Sequence, residues 1–123
     1  MLANKNWQTF LALAPFLGLI IFLGAYVFFI FNLVSNATNN ADYKPDAVFA
    51  GSLVTIVVAA ILMSLVSIAS LIFYIFHAVK NPNLEHSNTL VVWIILFVLF
   101  HSFAILIYWI IEIKNKPEIQ LKP

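Results

Sequence analysis

Residues 90–113 read LVVWIILFVLFHSFAILIYWIIEI, an apolar run in which the first charged residue is Glu112. An α-helix rises about 1.5 Å per residue, so about 20 apolar residues cross a hydrocarbon core of about 30 Å. Trp93 lies near the start of the run, and Tyr108 and Trp109 lie near its end. Such amphipathic aromatic residues settle at the two membrane interfaces. The length and the flanks of this stretch therefore predict a membrane-spanning helix.

Two further apolar runs precede this one along the chain. The first is much longer than the apolar core of a signal peptide, which has about 7–15 residues, so we expect a retained first span. The second covers residues 47–79 and would reach roughly 50 Å as one helix, so its span is expected to begin late. The three runs predict transmembrane helices over residues 10–34, 52–79 and 90–113.

The composition agrees with a location in lipid. The 123 residues are 63% hydrophobic and 9% charged, which is too apolar for a soluble domain of this length. We therefore predict an all-α integral membrane protein that forms a single transmembrane domain, residues 1–123, in which the last two of three helices make an antiparallel hairpin. Lysine accounts for all six residues of the lysine and arginine types, and ten residues are asparagine, a composition that looks like that of an AT-rich bacterial genome. We therefore expect a multi-pass protein of a bacterial inner or plasma membrane.

The polar segments between the runs predict the topology. Residues 35–46 are rich in helix-breaking residues and indicate a loop, whereas the residues after Lys114 indicate a frayed, solvated tail. Three spans place the Lys80 connector and the start of the chain on one side of the membrane, and the Lys44 loop and the tail on the other. Four lysines against two then favour a cytoplasmic tail.

The second run carries a strip of small and polar residues. At about 100° per residue, these positions fall within one half of the helix circumference. We expect this half to pack against protein, because such residues are common in contacts between membrane helices. Ser64, Ser67 and Ser70 should therefore contact the third helix or a partner. The strip consists of Ser52, Thr55, Ala59, Ala60, Ser64, Ser67, Ser70, Tyr74 and His77.

His101 lies at the midpoint of the third run, where an ionisable side chain usually faces a partner or a cavity. It shares a helix face, within about 40°, with Tyr108 and Glu112. One interpretation is half of a proton or ligand path. The other, which we favour, is a neutral histidine hydrogen-bonded to a serine of the second helix, with Tyr108 and Glu112 as bystanders in the same interface.

The sequence contains no motif that is typical of a metal site, a cofactor site or an enzyme. His77 would lie about 17 Å from the depth of His101, so the two cannot share an iron, and His77 and His86 are expected in a solvated turn. No phosphate-binding loop or hydrolase motif is found, and cysteine and arginine are both missing from the sequence. The sequence therefore predicts no enzymatic activity, no cofactor, no metal and no nucleic-acid partner.

The C-terminal hairpin resembles the small two-helix membrane segment at the N-terminus of phospholipase D-type cardiolipin synthases, which also occurs alone in short bacterial membrane proteins. The matching positions are the pair Phe73 and Tyr74, the turn with Lys80, the stretch WIILF at 93–97, and the Tyr108–Trp109 end. The glycine-rich middle of the family's second helix is replaced here by FHSFA, and the His-x-Lys catalytic motif is not present. The resemblance implies a membrane module with an anchoring or regulatory use.

Together these features predict a non-enzymatic accessory, regulatory or immunity-type protein that acts by binding another membrane component. Its expected partners are the lipid bilayer and another membrane protein or a second copy of the chain. The alternative is a small transport or channel subunit that oligomerises. Its pathway would then be lined by Ser64, Ser67, Ser70 and His101.

Overall fold

The chain is all-α. A computed structural model describes residues 2–39, 42, 47–85, 88–116 and 121–122. The elements are α1 (Lys5–Asn39), α2 (Ala47–Lys80), a short 3-10 helix (Pro82–Leu84), α3 (Thr89–Tyr108) and a π-helical segment (Trp109–Lys114). Three helices are long and apolar enough to cross a membrane, so the predicted fold class is confirmed.

Helix α1 extends further than the sequence indicates. Residues 35–39, which were predicted as loop, form its last turns. Side chains support this end, because Thr38 Oγ1 donates to the carbonyl oxygen of Val34 at 3.0 Å and Asn39 Nδ2 donates to Ser35 Oγ at 3.3 Å. The loop prediction was therefore wrong for these residues, since polar side chains that favour turns can also bond to the helix they end.

The structure describes only part of the predicted connectors between the helices. Of the loop that was predicted up to residue 46, only Asp42 is described beyond α1, so the predicted position of Lys44 lies outside the described residues. The connector after α2 contains the 3-10 helix, and His86 lies outside the described residues. Helix α2 is continuous from Ala47 to Lys80, so it begins five residues before the predicted span of 52–79.

Helix α3 is interrupted at His101, whose φ of 40° and ψ of −108° are not helical. In a straight helix Trp93 and Tyr108 would be about 22 Å apart along the axis. Their ring centroids are instead 5.1 Å apart, and those of Phe97 and Tyr108 are 5.3 Å apart. These distances require the chain to reverse at His101. The two halves of α3, residues 89–100 and 102–108, therefore lie side by side.

The second half of α3 returns to the end of the bundle from which the first half starts. Asn81, just after α2, donates to Glu112 at 3.4 Å. The backbone N–H of Lys122 donates to the carbonyl oxygen of Lys80 at 3.1 Å, and its side chain forms an ion pair with Glu85. The prediction that the tail lies opposite the Lys80 connector was therefore wrong. Its premise, a third helix that continues straight past His101, does not hold.

The chain divides into two compact units, residues 1–16 with 65–123 and residues 17–64. The first unit, which we call the bundle, contains the start of α1, the second part of α2 and both halves of α3. Its core is aromatic and apolar. The largest apolar side chains that are completely buried there are Tyr74, Phe97, Ile105 and Tyr108.

The second unit, residues 17–64, is a pair of helical segments from α1 and α2. The rings of Phe29 and Phe49 are in contact, with centroids 5.8 Å apart. The Met63 side chain occupies the place where a Cβ at Gly18 would stand, so a larger residue at Gly18 would displace it. A small residue therefore allows the close approach of the two segments here.

Candidate functional site

The bundle contains a cluster of polar side chains at its connector end, which we call the polar cluster. The side chain of His77 is central to it, with Nδ1 at 3.0 Å from the hydroxyl of Tyr108 and Nε2 at 3.3 Å from the Gln8 amide nitrogen. Because that nitrogen can only donate, Nε2 of His77 accepts and the ring proton is on Nδ1. The histidine is therefore neutral and bonded at both nitrogens.

Asn81 extends the cluster from the end of α2 to the end of α3. Its Nδ2 donates to the Tyr108 hydroxyl at 3.1 Å and to Glu112 Oε2 at 3.4 Å. Its Oδ1 accepts from the backbone N–H of Asn83 at 3.1 Å and so caps the 3-10 helix. Glu112 also forms an ion pair with Lys116, whose Nζ is 2.8 Å from the same carboxylate oxygen.

The start of α1 joins the cluster through Gln8 and Tyr74. The Tyr74 hydroxyl donates to the backbone oxygen of Gln8 at 2.5 Å, and the Gln8 amide also donates to the backbone oxygen of Leu2 at 2.5 Å. Gln8, Tyr74 and His77 are all buried. The polar cluster thus ties three helix ends together with hydrogen bonds between partners far apart in sequence.

Aromatic rings close the cluster toward the interior of the bundle. The Tyr108 ring meets the rings of Tyr74, Trp93 and Phe97 edge to face, at centroid distances of 5.9, 5.1 and 5.3 Å. Edge-to-face pairs of this kind contribute about 0.5–1.5 kcal/mol each beyond the burial of their area. Tyr108 therefore serves both the polar cluster, through its hydroxyl, and the aromatic core, through its ring.

The residues that the sequence singled out are distributed unevenly. Tyr108 and Glu112 belong to the polar cluster, whereas His101 lies at the reversal of α3. Ser64 is exposed and its hydroxyl donates to Ala60 O at 2.8 Å. Ser67 is half-buried and Ser70 is completely buried. The strip on α2 therefore becomes more buried toward the connector end.

The sequence interpretation missed two members of the cluster, Gln8 and Asn81. It placed His77 on the protein-facing strip of α2 but also expected it in a solvated turn. His77 is 2% exposed and bonded on both sides, so the solvated turn was wrong for this residue. A signal was present: Ser70, Tyr74, His77 and Asn81 repeat every three or four residues and so lie on one helix face. The burial of that face follows from the reversal of α3, which brings a second helical segment against it.

A separate groove lies within the second unit and is open to its surroundings. Its volume is about 420 Å³, and both polar and apolar side chains line it. Asn32 Nδ2 donates to the Phe28 carbonyl oxygen at 2.9 Å, and Thr55 Oγ1 donates to the Gly51 carbonyl oxygen at 2.9 Å. The lining residues are Ala25, Phe28, Phe29, Asn32, Leu33, Asn36, Phe49, Ser52, Thr55 and Ile56.

Among the described residues, no group of three or more histidine, cysteine or carboxylate side chains could hold a metal ion. Comparisons with protein-family models, with curated proteins and with solved structures gave no match. The resemblance of the C-terminal hairpin to the membrane segment of cardiolipin synthases therefore stays a prediction.

Proposed function

We propose that this small three-helix membrane protein is a non-enzymatic accessory or regulatory protein, of which an immunity protein is one type, that binds a helix of another membrane protein. The groove of the second unit carries this proposal. It combines aromatic and small side chains with Asn32, Asn36, Ser52 and Thr55, a mixture that is typical of contacts between membrane helices. The groove can accept side chains that project from a neighbouring helix.

The groove also connects this proposal with the strip on α2. Ser52 and Thr55 are the first two members of that strip and line the groove. Ser64, further along the same strip, is exposed. The outer part of the strip thus lines the groove or is exposed, whereas Ser70, Tyr74 and His77 are buried inside the bundle.

The polar cluster supports the absence of a catalytic role. His77, Asn81 and Tyr108 use their hydrogen-bonding groups on one another and on neighbouring residues. A general base must reach the proton that it removes, directly or through one water. A buried histidine that is bonded at both ring nitrogens does not offer that access, and we assign the cluster to holding the helix ends together.

Filling the groove should weaken partner binding. Ala25 lines the groove and is exposed, so we expect Ala25→Leu to place its added bulk where a partner side chain would enter and to lower partner recovery at least several-fold. The measurement is the amount of partner that copurifies from native membranes in mild detergent. Ala69→Leu is the matched control, because Ala69 is also an exposed alanine in a long apolar helix but lies outside the groove. Equal recovery with both variants would contradict the proposal.

A small oligomeric transport or channel subunit is the second candidate. It is favoured by buried polar atoms of Ser70 and His101 for which the described residues provide no hydrogen-bond partner. A discrete homo-oligomer that carries flux in liposomes would support this candidate. A foreign protein recovered in fixed stoichiometry, and lost in Ala25→Leu, would support the first.

A further inference from the structure

The reversal of α3 places two buried polar groups at one level of the bundle. In the antiparallel pairing of α2 with the first half of α3, the rings of Tyr74 and Phe97 are in contact at 6.4 Å. Counting one helical turn further from the connector on each helix pairs Ser70 of α2 with His101 of α3.

The parallel pairing of α2 with the second half of α3 leads to the same juxtaposition. His77 bonds to Tyr108, and Asn81 bonds to Glu112, in both cases across 31 positions of sequence. Counting the same 31 positions on from Ser70 gives His101. Two independent registers therefore bring these side chains to one place at the apex of the α3 hairpin, which we call the apex.

Each of the two side chains at the apex has a buried polar atom that lacks a hydrogen bond within the described residues. Ser70 is completely buried. Neither its Oγ nor His101 Nε2 has a hydrogen-bond partner among the described residues. An unsatisfied buried polar group is destabilising, and such groups are commonly bridged by an internal water.

The apex is separated from the polar cluster by an apolar layer. Ile105 lies between His101 and Tyr108 on the second half of α3, Phe97 lies one turn before His101 on the first half, and both are completely buried. A continuous proton path from Glu112 to His101 would have to pass through these apolar side chains. The apex is therefore a local site, and the first interpretation of the His101 stripe, half of a path, is not favoured.

We propose that the apex binds a single water molecule that bridges Ser70 Oγ and His101 Nε2. The ligand must be small, because both atoms are buried. Water fits both groups, because it can donate to or accept from the Ser70 hydroxyl and His101 Nε2 in either tautomer of the ring. His101 also carries a backbone conformation, with φ of 40°, that is strained in a residue other than glycine. The bridging water anchors the reversing residue to α2 and so holds this conformation.

The test is water-edited solid-state NMR of the full chain in liposomes, with nitrogen-15 in the histidine rings. The chain has three histidines, and His86→Gln removes one signal. His77 is an internal control, since both of its ring nitrogens are bonded to protein groups. We expect rapid transfer of water magnetisation to the His101 ring, little transfer to His77, and loss of the His101 transfer in Ser70→Ala. Transfer at His101 no faster than at His77 would overturn the proposal, as would an unchanged transfer in Ser70→Ala.

Discussion

Replacement of Tyr108 by alanine is expected to lower the free energy of unfolding by about 3–5 kcal/mol, the usual cost of deleting a buried aromatic side chain. The Tyr108 ring is completely buried and contacts the rings of Tyr74, Trp93 and Phe97. Its hydroxyl is bonded to His77 and Asn81. The substitution therefore opens a cavity in the aromatic core and leaves two buried polar side chains with fewer partners.

Two control variants separate these effects. Tyr108→Phe keeps the ring and removes only the hydroxyl, so its cost should be about 1 kcal/mol, the scale of a hydrogen bond between membrane helices. Ile107→Ala truncates the neighbouring residue, which is half exposed, and should have a smaller effect than Tyr108→Ala. The three unfolding free energies can be compared by denaturation in mixed micelles. Similar values for Tyr108→Ala and Ile107→Ala would contradict the assignment of Tyr108 to the core.

Hydropathy was sufficient to predict the three apolar helices, because each run is long and almost free of charge. It could not predict the polar cluster. The contacts of Gln8 with Tyr74 and His77 join residues more than 60 positions apart, and they depend on which helix ends meet. Periodicity places residues on a face of one helix, but only tertiary packing decides what covers that face.

The reversal of α3 also had no local signal in the sequence. FHSFA around His101 contains neither glycine nor proline, the residues that usually mark a break. Two apolar half-helices in succession have the same length and hydropathy as one spanning helix. Residues 89–100 rise about 18 Å, which places the apex near the middle of a hydrocarbon core of about 30 Å. Non-helical backbone at that depth needs protein around it, as the packing against α2 provides.

Because α3 reverses at His101, the positions of the lysines predict the orientation of the protein in the membrane. The start of α1, the connector after α2 and the end of α3 lie together, so Lys5, Lys80, Lys114, Lys116 and Lys122 share one side, against Lys44 alone between α1 and α2. Five lysines against one strongly favour a cytoplasmic location for that side. The predicted cytoplasmic tail is retained, but the Lys80 connector joins it there.

Single cysteines at three exposed asparagines of this cysteine-free chain test the orientation. We expect an impermeant thiol reagent to label Asn39→Cys in intact cells and to leave Asn83→Cys and Asn115→Cys unlabelled until the membrane is opened. The three sites are comparable because each replaces an exposed asparagine. Labelling of Asn115→Cys together with Asn39→Cys in intact cells would show that α3 crosses the membrane.

The reversal itself is tested most directly by the distance between spin labels on the two halves of the hairpin. Val91 and Ile111 are exposed and lie at matching levels on either side of His101. In a continuous helix, their 20-residue separation corresponds to about 30 Å. Neighbouring helices are about 8–10 Å apart, so double electron–electron resonance in liposomes should find the two labels within about 20 Å. A single distance distribution centred near 30 Å would contradict the reversal at His101.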